Sequence, residues 1–372
     1  MSKLLYRLLL FSLVGQLLPL PAADAPRYLG APSCASTSCH GGGGAGHDQY
    51  LLWSTRDFHS QRPVATLATA RSRQIAAGLG MADPQTDTRC TACHAPLTAI
   101  APERQGPHFK VSEGVGCESC HGPAEPWLRP HTRPDFSRAD RTATGLRDLQ
   151  DLYVRAGTCV ACHQVVAPAL EQAGHPELIF ELDGQSATEP RHWSAGKNGN
   201  GAQAWLVGQA VALRELSWQL EQLHPQSEAD RRLAETNLVE RAYALAWVLR
   251  QATEDRTVVE LFQADFGSVQ AWADQLARRE SSQPWAADRT KVMLKRLAGL
   301  SSSFTDPNIT PSLQARRAER LVLALDRLAT AAQMRQADAE LNRLFQLAQS
   351  RPDFDRAAFA TALQAAAGAL QL

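Results

Sequence analysis

The chain has 372 residues, with 38 basic against 38 acidic side chains. That length suits two domains of ordinary size. The balanced charge argues against a nucleic-acid-binding surface or an electrostatic hold on an anionic membrane. Eight cysteines and eleven histidines stand out, and their placement organises the reading.

Residues 1–25 read as a secretory signal. Lys3 and Arg7 supply a positive start, Leu8 to Leu18 an apolar run, and Ala23-Asp24-Ala25 a small-x-small cleavage site. An uncleaved anchor is the alternative, but the run is short for a bilayer span, and no later stretch is apolar enough. The mature chain is expected in the periplasm, with no membrane span after signal cleavage.

Residues 26–195 form the first expected domain, loop-rich and short of apolar periodicity. It holds Cys34-Ala35-Ser36-Thr37-Ser38-Cys39-His40, then Gly41 to Gly44, whose missing side chains would let backbone pass near a flat cofactor. A short helix is predicted within Gln49–Leu67 and a better one over Ala68–Leu79, ended by Gly80 and Pro84. Cys90-Thr91-Ala92-Cys93-His94 follows, then Cys117-Glu118-Ser119-Cys120-His121. A helix over Arg147–Ala156 leads into Cys159-Val160-Ala161-Cys162-His163.

Three of these sites are C-x-x-C-H, the attachment signature of c-type haem, and the first has four residues between its cysteines. Both thiols add to the haem vinyl groups, and the next histidine comes round beneath the iron as the proximal ligand. In the first site the extra residues must loop outward for both sulfurs to reach. Structural zinc and disulfides are the competing readings. Neither requires histidine directly after every cysteine pair, and chance would place four there about once in a million. Four covalently bound c-type haems are therefore expected, attached through Cys34, Cys39, Cys90, Cys93, Cys117, Cys120, Cys159 and Cys162. His40, His94, His121 and His163 are the proximal ligands, and the haems supply the missing core.

A six-coordinate iron needs a second ligand, and neutral imidazole is the economical choice here. His59, in Asp57-Phe58-His59, His131, His175 in Gly174-His175-Pro176, and His192 in Pro190-Arg191-His192-Trp193 are the expected distal ligands. His108, after Pro107, competes with them. His47 and His224 are expected in solvent.

Residues 196–372 form the second expected domain, entered through the glycine-rich run Gly196–Gly201. Leu206, Ala210, Leu213, Leu216, Leu220 and Leu223 recur at helical spacing. Pro225 breaks that helix, and Ser227 is the expected N-cap of the next, to about Arg250. Further amphipathic stretches cover Thr257–Arg279, Ala287–Leu300, Pro311–Ala331, Ala337–Ser350 and Phe354–Leu370. Asn308-Ile309-Thr310, formally a glycosylation sequon, reads as the N-cap region before Pro311. The fold class is thus mainly α: a multihaem cytochrome domain with haems as its core, then a C-terminal α-helical bundle.

Gly114-Val115-Gly116-Cys117-Glu118-Ser119-Cys120-His121-Gly122-Pro123, with His131 after it, resembles the cytochrome c554 family of multihaem c-type cytochromes. Trp53 to His59 and Gly174-His175-Pro176 resemble it too, so the likeness covers about residues 30–195. It implies a tetrahaem electron carrier with closely stacked haem pairs, mostly bis-histidine. It also implies that the haem on Cys90, Cys93 and His94 can lack a distal ligand. The stretched first motif and the helical half depart from the family pattern. Two functions follow. One is a periplasmic carrier moving electrons between redox partner proteins. The alternative is a multihaem oxidoreductase whose five-coordinate haem acts on a small nitrogen or sulfur compound. The helical half offers a scaffold, a face for a homo-oligomer, or a docking surface for a redox partner.

Overall fold

The computed structural model describes residues 25–44, 46–164, 166–193, 200–223, 228–286, 288–350 and 353–370. The expected secretory signal, apart from Ala25, lies outside the described residues, as do His224 and Ser227. Among the described residues the chain is helical without a β-strand. Extended pairing is limited to two isolated bridges, Tyr28 with Gln105 and Ser60 with Gly114.

The first half carries short helices separated by turns: α1 (Gln49–Arg56), α2 (Arg62–Leu67), α3 (Ala70–Gly78), α4 (Thr88–His94), α5 (Cys117–His121), α6 (Arg138–Ala143), α7 (Leu152–His163), α8 (Pro168–Gln172) and α9 (Leu182–Thr188). The segment expected to hold one helix over 49–67 divides at residues 57–61. There His59 accepts at its carbonyl from Val115 N–H (3.0 Å), which holds the chain extended beside the residues preceding α5. Helix starts follow side-chain chemistry. Asp87 accepts from Arg89 N–H at α4, and Asp151 from the N–H groups of Tyr153 and Val154 at α7. The motifs of Cys90, Cys117 and Cys159 each end a helix at their histidine, so helical turns present both thiols and the imidazole together. The helix leading to Cys159 is predicted over Arg147–Ala156, but α7 begins only after the Asp151 cap and carries the whole motif.

Glu118 lies inside the third motif and is 2% exposed. Its carboxylate accepts from the backbone N–H groups of Leu29 (2.9 Å), Gly30 (2.7 Å) and Ala124 (2.6 Å). Glu113 accepts from Ala31 N–H at 3.0 Å. These bonds draw the segment before Cys34 onto the third motif. Gly30 is required there: its φ is +87°, and a Cβ would lie 2.1 Å from the His108 carbonyl oxygen. Two of the glycines after His40 are required by the backbone itself. A Cβ on Gly41 would lie 1.9 Å from the Ala35 oxygen, and one on Gly42 2.4 Å from the Thr37 oxygen. They let the chain fold back on the extra loop of the first motif.

The second half comprises α10 (Gly201–Gln222), α11 (Glu228–Thr253), α12 (Thr257–Ala264), α13 (Phe266–Ser282), α14 (Arg289–Ala298), α15 (Pro311–Ala331), α16 (Asp338–Gln349) and α17 (Arg356–Ala369). The stretch expected as one helix over 257–279 breaks at Asp265, which caps α13 by accepting from Ser268 N–H. Thr310 caps α15 with Pro311 in its first turn, in keeping with the N-cap reading of Asn308–Thr310. α10 is buried on every face from Ala202 to Leu213 because α7, α9, α11, α13 and α15 surround it. The main apolar core lies here, and it takes in Ala156 and Val160 of α7 together with Phe180 and Leu182. Two ionic clusters join the halves. Tyr153 donates to Asp274 (2.6 Å), which Arg214 also meets at 3.0 Å. Arg241, itself buried, contacts Glu171 (3.0 Å) and Glu177 (3.5 Å), and Arg316 meets Glu177 at 2.6 Å.

Candidate functional site

The four motifs and their expected partner histidines converge within the first half. His40 faces His131, with ring centroids 6.2 Å apart and planes at 16°. His163 faces His59 at 6.0 Å, planes at 89°. Two imidazoles bound through nitrogen to one metal at about 2 Å have centroids about 6 Å apart. Among the described residues His121 and His94 make no such ring contact. His121 is pushed down to about 4 by burial, then by the charges of His192, His40, Arg147 and His131. His94 is lowered by burial, with His175 adding to the effect. Two of the expected distal histidines thus face a proximal one, and the other two, His192 and His175, interact electrostatically with His121 and His94. His108 and His47 are exposed.

The ring nitrogens are oriented for coordination. Nδ1 of His40 faces Gln49 Oε1 (2.8 Å), that of His94 the Pro63 oxygen (3.0 Å), and that of His59 Asp57 Oδ1 (3.0 Å). Nδ1 of His131 faces the Trp127 oxygen (3.1 Å), that of His175 the Pro176 oxygen (2.8 Å), and that of His192 the Pro190 oxygen (3.3 Å). Each acceptor holds the proton on Nδ1 and leaves the Nε2 lone pair for a metal. Burial lowers His163, with His59 adding to it, so this imidazole too favours the neutral form that ligates.

A cavity of about 420 Å³ lies against the first motif, lined by Ser33, Cys34, Cys39, His40, Leu128, Arg129, His131 and Thr132. Both thiols of the stretched motif and both facing imidazoles therefore open into one space. Cys34 is buried at the end of a short 3₁₀ turn, and residues 36–39 bulge into solvent. The motifs also meet in pairs. The thiols of Cys34 and Cys117 lie close enough to perturb one another's ionisation, as do those of Cys93 and Cys162. Cys120 and Cys159 interact electrostatically across the remaining junction.

The competing chemistries fit less well. No two of the eight cysteines are joined as a disulfide. Among the described residues the one convergent group of three or more metal-ligating side chains is Asp57, Glu189 and His192, which contains no cysteine. Its geometry is that of outer partners. Asp57 holds His59, and Glu189 lies 4.0 Å from His192 Nδ1. Burial would raise the Asp57 carboxyl, but hydrogen bonds from His59 outweigh it and hold the group below its ordinary value. Burial and the nearby Asp57 charge raise Glu189.

Sequence reasoning missed these outer partners. Gln49 and Pro63 carry no local signal, because the fold brings them to the imidazoles. Asp57, two residues before His59, is a legible exception. Arg147 was missed too: it donates to the Ser119 carbonyl (2.6 Å) and fixes the end of the third motif.

Thiol pairs each followed by histidine, two of those histidines facing a further imidazole, are the marks of a c-type cytochrome, a class that implies covalently bound c-type haem. Residues 33–122 match the family model for cytochrome c554 and c-prime, which supports assigning the chain to the cytochrome c554 family. The match covers the first three motifs; Cys159–His163 and the helical half lie beyond it. No curated protein and no solved structure matches the chain.

Proposed function

We propose that this cytochrome is a periplasmic tetrahaem electron carrier in which four imidazole pairs hold the irons: His40 with His131, His94 with His175, His121 with His192, and His163 with His59. The carrying observation is the separation of two of these pairs, 6.2 Å and 6.0 Å. Haem bound here supplies a one-electron couple at each centre. The chain's residues fix where and how that couple works. Nδ1 acceptors orient each distal imidazole, and Asp57 raises the donor strength of His59. The mutual perturbation of the thiols of Cys34 and Cys117, of Cys93 and Cys162, and of Cys120 and Cys159 favours a run of centres in the order first, third, fourth, second motif. Such adjacency suits passage of electrons through the protein.

In this proposal residues 26–195 are the haem domain and residues 196–372 the helical domain, which clamps α7 and serves as scaffold. The protein is exported by its N-terminal segment and exchanges electrons with soluble redox partners. The electrostatic influence of His175 on His94 supports a closed second centre over the oxidoreductase reading. The test is stoichiometric oxidation of the reduced protein by a soluble one-electron acceptor. Delivery of four electrons per chain, with no catalytic consumption of nitric oxide or hydroxylamine, is expected. Steady turnover of either compound would overturn the proposal.

A further inference from the structure

A second cleft lies in the helical half, away from every cysteine. It opens between α11, α12 and α15 and is lined by Tyr243, Ala246, Trp247, Arg250, Val258, Phe262 and Arg317. Its volume is about 160 Å³, close to the ~150 Å³ of an apolar cavity that admits benzene. Aromatic rings form its walls. Tyr243 stacks on Phe262 with centroids 4.5 Å apart, and Trp247 packs edge-on against Phe304. Tyr243 is 38% exposed, so one side of the aromatic wall reaches solvent.

The cleft also carries two positive charges. Neither Arg250 nor Arg317 makes an ion pair among the described residues, although arginines elsewhere in this half are paired with carboxylates. Arg317 lies over the Trp247 ring at 5.3 Å, and its Nε is buried without a hydrogen-bond partner. Burial and Arg250 both disfavour its charge, and Asp306 offsets them only through space. Two unbalanced guanidinium groups beside an aromatic wall are an unfavourable arrangement that an anion relieves. Guanidinium offers paired donors matched to a carboxylate.

We propose that this cleft binds a small planar carboxylate with an aromatic body, its ring against Trp247 and Phe262 and its carboxylate between Arg250 and Arg317. The size limits the body to one ring. The apolar wall disfavours a phosphate, which would need hydrogen-bond donors on every side. The site is independent of the haem centres and of the carrier reading.

The test is isothermal titration of the haem-loaded, full-length protein with benzoate and, separately, with benzamide, its uncharged counterpart of the same shape. Saturable binding of benzoate at one site is expected, with benzamide weaker by at least about tenfold, the worth of a charge-assisted hydrogen bond. Arg250→Gln and Arg317→Gln are each expected to weaken benzoate about tenfold, while Arg317→Lys, which keeps the charge, recovers part of the loss. No saturable benzoate binding, or benzamide bound as tightly as benzoate, overturns the proposal without any variant. Benzoate binding unchanged in a folded Arg250→Gln or Arg317→Gln protein overturns it equally.

Discussion

The two halves of this cytochrome solve the same problem with different materials. In the helical half α10 is enclosed by five neighbours, and side chains alone make a continuous core. In the other half the main separate apolar cluster is Ile75, Ala76, Met81, Val166 and Leu170, gathered beside Cys90. What holds that half is polar: Glu118 binding three backbone N–H groups, Arg147 on the Ser119 carbonyl, and carbonyls gripping imidazole Nδ1 atoms. A core of aliphatic side chains needs volume and periodicity. A core of cofactor needs correctly aimed ligands, and the turns and caps of this half serve to aim them. α7 belongs to both schemes, since Ala156 and Val160 sit in the aliphatic core while Cys159, Cys162 and His163 form the fourth motif.

The sharpest way to separate the halves is to remove one attachment. Cys117→Ser with Cys120→Ser is expected to unfold the first half and lower the haem content, while helical circular dichroism of the second half persists. Loss of all helical signal would show that the second half depends on the first. The reverse experiment is Leu213→Ala, which empties a fully buried site on α10. It is expected to cost about 2–5 kcal/mol in chemical denaturation, with the haem-to-protein ratio unchanged in the folded fraction.

A smaller effect tests the junction. Glu181 is buried beside the helical core, and burial pushes its carboxyl up to about 7, against the pull of Arg320. A carboxyl whose folded value exceeds its unfolded one binds more protons when folded, so stability falls as pH rises from about 4.5 to about 7. The fall is expected to reach no more than about 3 kcal/mol, at about 1.4 kcal/mol per pH unit. Glu181→Gln should flatten that part of the stability profile, as read from thermal midpoints across the range. The smallest effect belongs to Asp57. Asp57→Asn weakens the donor strength of His59, favours the reduced iron, and is expected to raise one midpoint potential by tens of millivolts, where about 59 mV is a tenfold change.

The cofactor half was legible in its chemistry and poorly legible in its structure. Each cysteine and proximal histidine stands in a local motif, and His59, His131, His175 and His192 were framed by neighbours that restrict them. Their acceptors were not legible, since Gln49 and Pro63 meet His40 and His94 only through tertiary folding. The helical half was the opposite. Periodicity marked α10 and α15, but Asp265 as a break, α10 as a helix buried all round, and the charged cleft beside Trp247 depend on packing that no short stretch encodes.

The central claim, four imidazole pairs, is tested most directly by electron paramagnetic resonance of the oxidised, haem-loaded protein. Low-spin ferric signals alone are expected. The nearly parallel His40–His131 rings should give a rhombic signal, and the perpendicular His59–His163 rings a strongly axial one. A high-spin component that shifts when cyanide or nitric oxide is added would contradict the account and leave an iron with a single histidine.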